Sequence, residues 1–111
     1  MAYRVELARA AEAELEALYL WVTSRAPSQG AAWFNGLERA VLALDEHPER
    51  CPVAPESVDR DRPVRVLSYG RKPHVYLTFF AVDHERHVVR VLHIRRGARQ
   101  RPTAEDLRGD R

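Results

Sequence analysis

Nine residues in the second half of the chain have side chains that could act on a phosphate. His74 and His93 can exchange protons near neutral pH. Arg65, Arg71, Lys72, Arg95, Arg96 and Arg99 are cations, and Tyr76 offers an aromatic face, as does Tyr69 nearby. Cleaving RNA without a metal needs a base for the 2′-hydroxyl, an acid for the leaving oxygen, and cations for the charge that develops on phosphorus. An aromatic ring can hold the base by stacking. Each residue also has a purely structural reading. His93 can be a hydrogen-bonded packing residue. Tyr76, in a strand of valine, leucine and phenylalanine, can be core or rim. The cations can form a solvated surface.

The element that must position most of them is the closing run Val88-Val89-Arg90-Val91-Leu92-His93-Ile94-Arg95-Arg96-Gly97-Ala98-Arg99. Its β-branched residues predict a buried or half-buried strand, and Gly97 offers a turn. Strict alternation puts Val89, Val91, His93 and Arg95 on one face and Arg90, Leu92 and Ile94 on the other.

Earlier elements follow from their periods. Tyr3, Val5 and Leu7 alternate with polar residues, a short strand. From Arg9 the period is helical, with Ala11, Leu15, Leu18, Tyr19 and Val22 on one face. Glu12, Glu14 and Glu16 enrich the early turns, where the helix dipole favours anions. This helix should stop near Ser24, before Pro27. Ser28 is the expected N-cap of a second helix carrying Trp33, Leu37, Val41 and Leu44, ended by His47-Pro48. The short connection predicts an antiparallel helical hairpin. Residues 47–63 hold Pro48, Pro52, Pro55 and Pro63 and should be irregular, anchored by Val53, with Cys51 a packed side chain. Strands at Pro63 to Tyr69, His74 to Val82 and Val88 to Ile94, joined by two turns, make a meander. A short helix after Pro102 has Thr103 as cap and Asp106 reaching back. The order is β-α-α-β-β-β: an α+β fold with an antiparallel sheet and a helical hairpin packed on one face. The other face, if apolar and uncovered, is a partner site.

Composition bounds the class. With 111 residues, 45% hydrophobic and 31% charged, the chain reads as one globular domain over 1–111. One cysteine excludes an internal disulfide. No HExxH, paired cysteines or phosphate-loop glycines occur, so neither a metal nor any other cofactor is expected. Acidic residues in the first twenty positions exclude a signal peptide, and no run is apolar enough to span a membrane, so a cytoplasmic protein is expected. The net charge of +2 hides a division. Residues 1–59 carry five arginines and ten carboxylates, a balance of −5, whereas residues 60–111 carry thirteen cations and six carboxylates, a balance of +7. A basic half of this kind suits an anionic partner, nucleic acid or an acidic protein segment.

The element order, the proline-rich Arg50-Cys51-Pro52-Val53-Ala54-Pro55-Glu56 link, the Phe79-Phe80-Ala81-Val82-Asp83 hairpin and the closing Val91-Leu92-His93-Ile94-Arg95-Arg96-Gly97-Ala98-Arg99 together resemble the RelE/ParE toxin superfamily. The closing run is close to the "LHxRHGAR" ending of many plasmid-stabilisation members. The resemblance implies the growth-inhibiting toxin of a type II toxin–antitoxin module, neutralised by a cognate antitoxin encoded beside it. It implies one of two targets: mRNA on the ribosome, cleaved by RelE-like members with sheet cations and a C-terminal tyrosine, or DNA gyrase, inhibited by ParE-like members. Two departures weigh against RelE-type cleavage. The strand that usually opens with Tyr-Arg reads Val75-Tyr76-Leu77 here, and no tyrosine follows Gly97. Arg65, Arg95, Arg96 and Arg99 match the superfamily's basic positions, and His93 is a feature of this subgroup. Gyrase inhibition or an undetermined target is therefore the first expectation. A metal-independent, histidine-based ribonuclease is the second.

Overall fold

The computed structural model describes residues 2–97 and 101–108. The first strand, β1 (Arg4–Leu7), leads directly into α1 (Arg9–Arg25). Glu12 in the first turn and Arg25 in the last complement the helix dipole. Ala26 alone separates α1 from α2 (Pro27–Leu42). It precedes a proline, which disfavours helical geometry, and its φ of −148° and ψ of 86° break the helix there. Pro27 then takes the first helical position, where its missing N–H costs nothing. Ala26, and not the expected Ser28, is therefore the N-cap. The two helices pack closely at Gly30, where a Cβ would lie 2.3 Å from the Val22 carbonyl oxygen.

Two 3-10 turns, Ala43–Asp45 and Pro48–Arg50, follow, separated by His47 in the left-handed region at φ 49°. The segment that leads to β2 (Val64–Tyr69) is tied down by backbone groups. Ala54 N–H donates to the Val64 carbonyl at 2.7 Å, and Val66 N–H to that of Pro52 at 3.0 Å. Ala54 and Cys51 are the buried anchors, while the expected anchor Val53 is 48% exposed. The reason is the isolated bridge between Val53 and Arg65: its pairing fixes the backbone, and its side chain faces out.

β3 (Tyr76–Asp83) and β4 (Val88–Arg96) complete a four-stranded sheet of order β1-β4-β3-β2. The α+β architecture with a helical hairpin on one face is as expected, but the sheet is mixed. β1 pairs parallel with β4, from Arg4 opposite Val88 to Leu7 opposite Val91, while the other two pairings are antiparallel. Residues 47–63 return the chain so that β2 runs in the sense of β1, and two hairpin reversals give β4 that sense again.

The alternation expected for β4 breaks. Phe79 is opposite His93 and Phe80 opposite Val91, so Leu92 is an extra residue, a β-bulge. Val89, Val91 and Ile94 consequently share the helix-side core with Leu18, Leu37 and Phe80. Leu92 joins Leu77, Phe79, Val64 and Ala54 in a second core on the other face. That face is covered: α3 (Ala104–Arg108) lays Leu107 on it. The start of α3 is the expected capping box, with Thr103 N–H donating to Asp106 Oδ2 at 2.9 Å and Asp106 N–H to Thr103 Oγ1 at 3.1 Å. Gly70 turns in the left-handed region, at φ 95°, and Gly97 is a turn residue directly after β4 whose N–H donates to the Val75 carbonyl at 2.8 Å.

Gly36 has a different task. A Cβ there would lie 2.1 Å from the Tyr69 hydroxyl oxygen. Gly36→Ala is expected to push Tyr69 off α2 and cost about 1–3 kcal/mol, an overpacking effect readable in a thermal melt. An unchanged melting temperature would contradict this close contact.

Candidate functional site

Most of the chemistry-bearing residues meet at one end of the sheet. Tyr69, Tyr76 and Arg96 are aligned across β2, β3 and β4. Trp33 of α2 packs edge-on against both tyrosines, with ring centroids 5.3 Å apart in each case. The Tyr69 hydroxyl donates to the Trp33 carbonyl at 3.0 Å, fixing the ring to the helix.

Two open clefts flank this aromatic group. One, of about 530 Å³, is lined by Trp33, Tyr69, Gly70, Arg71, Lys72 and His74. The cations here are exposed on the β2–β3 turn. The other, of about 520 Å³, lies between α1 and β4 and includes Glu14, Trp21, Tyr76, Ile94, Arg95 and Arg96. Trp21 on its α1 wall carries the Arg25 guanidinium over its ring at 4.6 Å, and Leu20 beside it is 61% exposed.

His93 sits where α1, β4 and α3 converge, and Glu14 organises that junction. β4 runs on past the end of β1, which would leave N–H groups without a strand partner. Glu14 Oε1 accepts the Ile94 N–H at 2.9 Å, and Oε2 accepts Arg95 Nε–H at 2.6 Å. The His93 Nε2 is 3.2 Å from the Asp106 carbonyl oxygen, so that nitrogen carries the proton and donates. Its Nδ1 lies between Glu14 Oε2 at 3.2 Å and Arg95 Nη2 at 3.1 Å. The ring is only 10% exposed. Both nitrogens are engaged within the protein.

Arg71, Lys72 and His74 come together on the turn, and Tyr76, Arg95 and Arg96 come together in the cleft beside α1. Arg65 is apart from both, four residues back along β2. Its guanidinium donates to the carbonyls of Cys51 at 2.7 Å and Glu49 at 3.3 Å, bracing residues 47–63. Arg99 lies outside the described residues. Cys51 is buried, with Arg50 Nη1 3.5 Å from its sulfur. Among the described residues no three His, Cys, Asp or Glu side chains gather as metal ligands. No helix among them is long and apolar enough to cross a membrane.

Sequence reasoning did not single out Glu14, Trp21 or Trp33 as parts of a site. Glu14 read only as an acid near a helix start, and Trp33 only as an apolar position. The usable signal was length: a nine-residue β4 beside a four-residue β1 leaves an edge that something must cap.

Two charged groups fasten α3 and the preceding segment. The Thr103 N–H holds the Asp106 carboxyl below its ordinary value of 3.8, with smaller help from Arg95 and His93. Arg101 hydrogen-bonds Glu56 and holds its carboxyl below 4.5, while the guanidinium pKa rises in turn. Both carboxylates have folded-state values below their unfolded ones. Their contribution is therefore present above about pH 4.5 and is lost as pH falls through the depressed values. We expect the backbone amides of Thr103 to Leu107 to lose hydrogen-exchange protection below pH 4 before β3 and β4 do. Simultaneous loss in all three elements would contradict this.

The sequence matches the family model described as "ParE toxin of type II toxin-antitoxin system, parDE" over residues 5–101. The chain belongs to this family. Solved structures share the ParE-type fold. A chromosomal ParDE TA system from P. aeruginosa superposes with a TM-score of 0.67 at 22% identity, covering 86% of this chain and 96% of that one. A mutant of the E. coli toxin RelE in the free state gives 0.59 at 16% identity, covering 88% and 86%. The archaeal RelE–RelB complex from Pyrococcus horikoshii gives 0.55 at 19% identity, covering 89% and 99%. At such identities the likeness is one of fold. No curated protein matches the sequence.

Proposed function

We propose that this ParE-family chain is the toxin of a type II toxin–antitoxin module, neutralised by a cognate antitoxin, and that it arrests growth by binding DNA gyrase. The observation that carries the choice of a binding mechanism over a cleaving one is the state of His93. A general acid or base needs a nitrogen that a substrate can reach. Here Nε2 is held by the Asp106 carbonyl and Nδ1 lies against the Glu14–Arg95 pair, in a ring almost closed to solvent. Together with the missing tyrosine after Gly97, this leaves β4 as a scaffold, with Arg95 tied to Glu14, and the cleft beside it as a docking surface. The antitoxin covers the cleft between α1 and β4, where Leu20 and Trp21 offer apolar surface beside Arg95 and Arg96.

One observation favours the alternative, a metal-independent mRNA endoribonuclease: His74 is exposed beside Arg71 and Lys72. Induced expression in a bacterial host separates the two. The reading predicts growth arrest with intact mRNA, relief by the co-expressed antitoxin, and toxicity within about threefold of wild type for His74→Ala and for His93→Gln. Glutamine can still donate to the Asp106 carbonyl, so the fold is retained. Fragmented mRNA, with toxicity abolished by either change in a folded protein, would move the function to RNA cleavage.

A further inference from the structure

The cleft at the β2–β3 turn plays no part in the gyrase-binding reading, and its composition is specific. Its walls are Trp33 and Tyr69, its rim is the Gly70–His74 turn, and no carboxylate lines it. Arg71 and Lys72 have no ion-pair partner among the described residues. Arg95 is by contrast paired with Glu14, and Arg101 with Glu56. The turn is held in shape by the backbone. Gly70 at φ 95° brings the His74 carbonyl so near that a Cβ would lie 2.3 Å from its oxygen, and His74 N–H donates to the Arg71 carbonyl at 2.6 Å. The aromatic wall is fixed as well, through the Tyr69 hydroxyl on α2 and the Trp33–Tyr69 ring contact. Two unpaired cations beside a fixed aromatic wall match the two parts of a nucleotide, an anionic phosphate and a flat base. An acidic peptide would use the cations and leave the aromatic wall idle. A duplex would hide its bases from that wall.

We propose that the cleft bounded by Trp33, Tyr69 and the Gly70–His74 turn binds single-stranded nucleic acid, with a base against the aromatic wall and flanking phosphates on Arg71 and Lys72. The site goes beyond the gyrase reading and does not depend on it. A toxin that docks on a DNA-handling enzyme could use it to hold an exposed strand, and loss of the site would leave the antitoxin cleft intact.

The test is fluorescence anisotropy on the full chain with labelled twelve-nucleotide single strands, one of DNA and one of RNA. Wild type should bind at least one of them. Arg71→Ala/Lys72→Ala should weaken binding at least tenfold and flatten the log K against log [salt] slope by about 1.4, the value for two lost phosphate contacts on a single strand. Arg60→Ala/Arg62→Ala removes the same charge at the far end of β2 and should change affinity less than threefold. In a Trp21→Phe background, only Trp33 remains to report, and its emission should be quenched on binding. Three results would each overturn the proposal: no binding of either strand, equal weakening by the two double variants, or equally tight binding of a duplex or of a polyglutamate of matched charge. Both double variants alter exposed side chains, and circular dichroism checks that each is folded. Growth arrest that persists after Arg71→Ala/Lys72→Ala would leave the target assignment untouched while the binding result decides this site.

Discussion

Glu14→Ala is expected to destabilise the protein by about 2–4 kcal/mol, far more than a surface glutamate on a helix normally contributes. One carboxylate satisfies the Ile94 N–H, pairs with the Arg95 guanidinium and borders the His93 ring. Its removal strands a backbone donor at the open edge of β4 and a guanidinium that is mostly buried. The side chain is 25% exposed, so water recovers part of the loss and the effect stays below that of a fully buried pair. Glu14→Gln keeps an acceptor for Ile94 and should cost about 1–2 kcal/mol. Urea unfolding at constant m-value measures both. A Glu14→Ala protein within about 0.5 kcal/mol of wild type would mean that the junction of α1, β4 and α3 is not held as described.

The second large effect concerns the sheet face away from the helical hairpin. Phe79 is fully buried there, under α3 and with the Arg101 guanidinium 5.9 Å from its ring centre. Phe79→Ala should cost about 3–5 kcal/mol through lost transfer energy and an unfilled cavity. It should also release α3, whose only buried side chain toward the sheet is Leu107 among the described residues. Limited proteolysis should then cut near residues 101–108 before the rest of the chain. If the variant loses less than about 1.5 kcal/mol, this face is not a packed core.

These two sites show what the sequence could and could not reveal. The helical period of α1 and α2, the β-branched runs of β2 to β4 and the Thr103–Asp106 box are local signals, and they predicted the elements. The parallel pairing of β1 is non-local: nothing in Arg4–Leu7 states which strand it will join. The bulge at Leu92 is legible only from register, because nothing in Val91-Leu92-His93-Ile94 marks which residue the partner strand skips. That single extra residue moved Ile94 to the helix side, beside Val89 and Val91, while Leu92 keeps the far side that alternation gives it. It also turned His93 toward α3 and away from a shared face with Val91. His93 and His74 are the same residue type with opposite settings, one locked between three elements and one exposed on a turn. Composition identified both as candidates. Only the tertiary structure separates them.

The closing arginines make the same point about charge. Arg95 spends its guanidinium on Glu14, eighty-one positions away, whereas Arg71 and Lys72 on the turn between β2 and β3 have no anion beside them among the described residues. The basic character of residues 60–111 is therefore divided between internal ties, such as Arg65, Arg95 and Arg101, and surface available to a partner. Counting cations cannot make that division.

The central claim is that this ParE-family chain acts by binding gyrase and not by cutting RNA. Supercoiling of relaxed plasmid by purified gyrase, with the purified toxin added, tests it most directly. Supercoiling should be inhibited by the wild-type chain and by His93→Gln to within about threefold, and restored when the cognate antitoxin is added first. Unimpaired supercoiling at a large molar excess of toxin, with mRNA cleaved on ribosomes by the same preparation, would contradict the account.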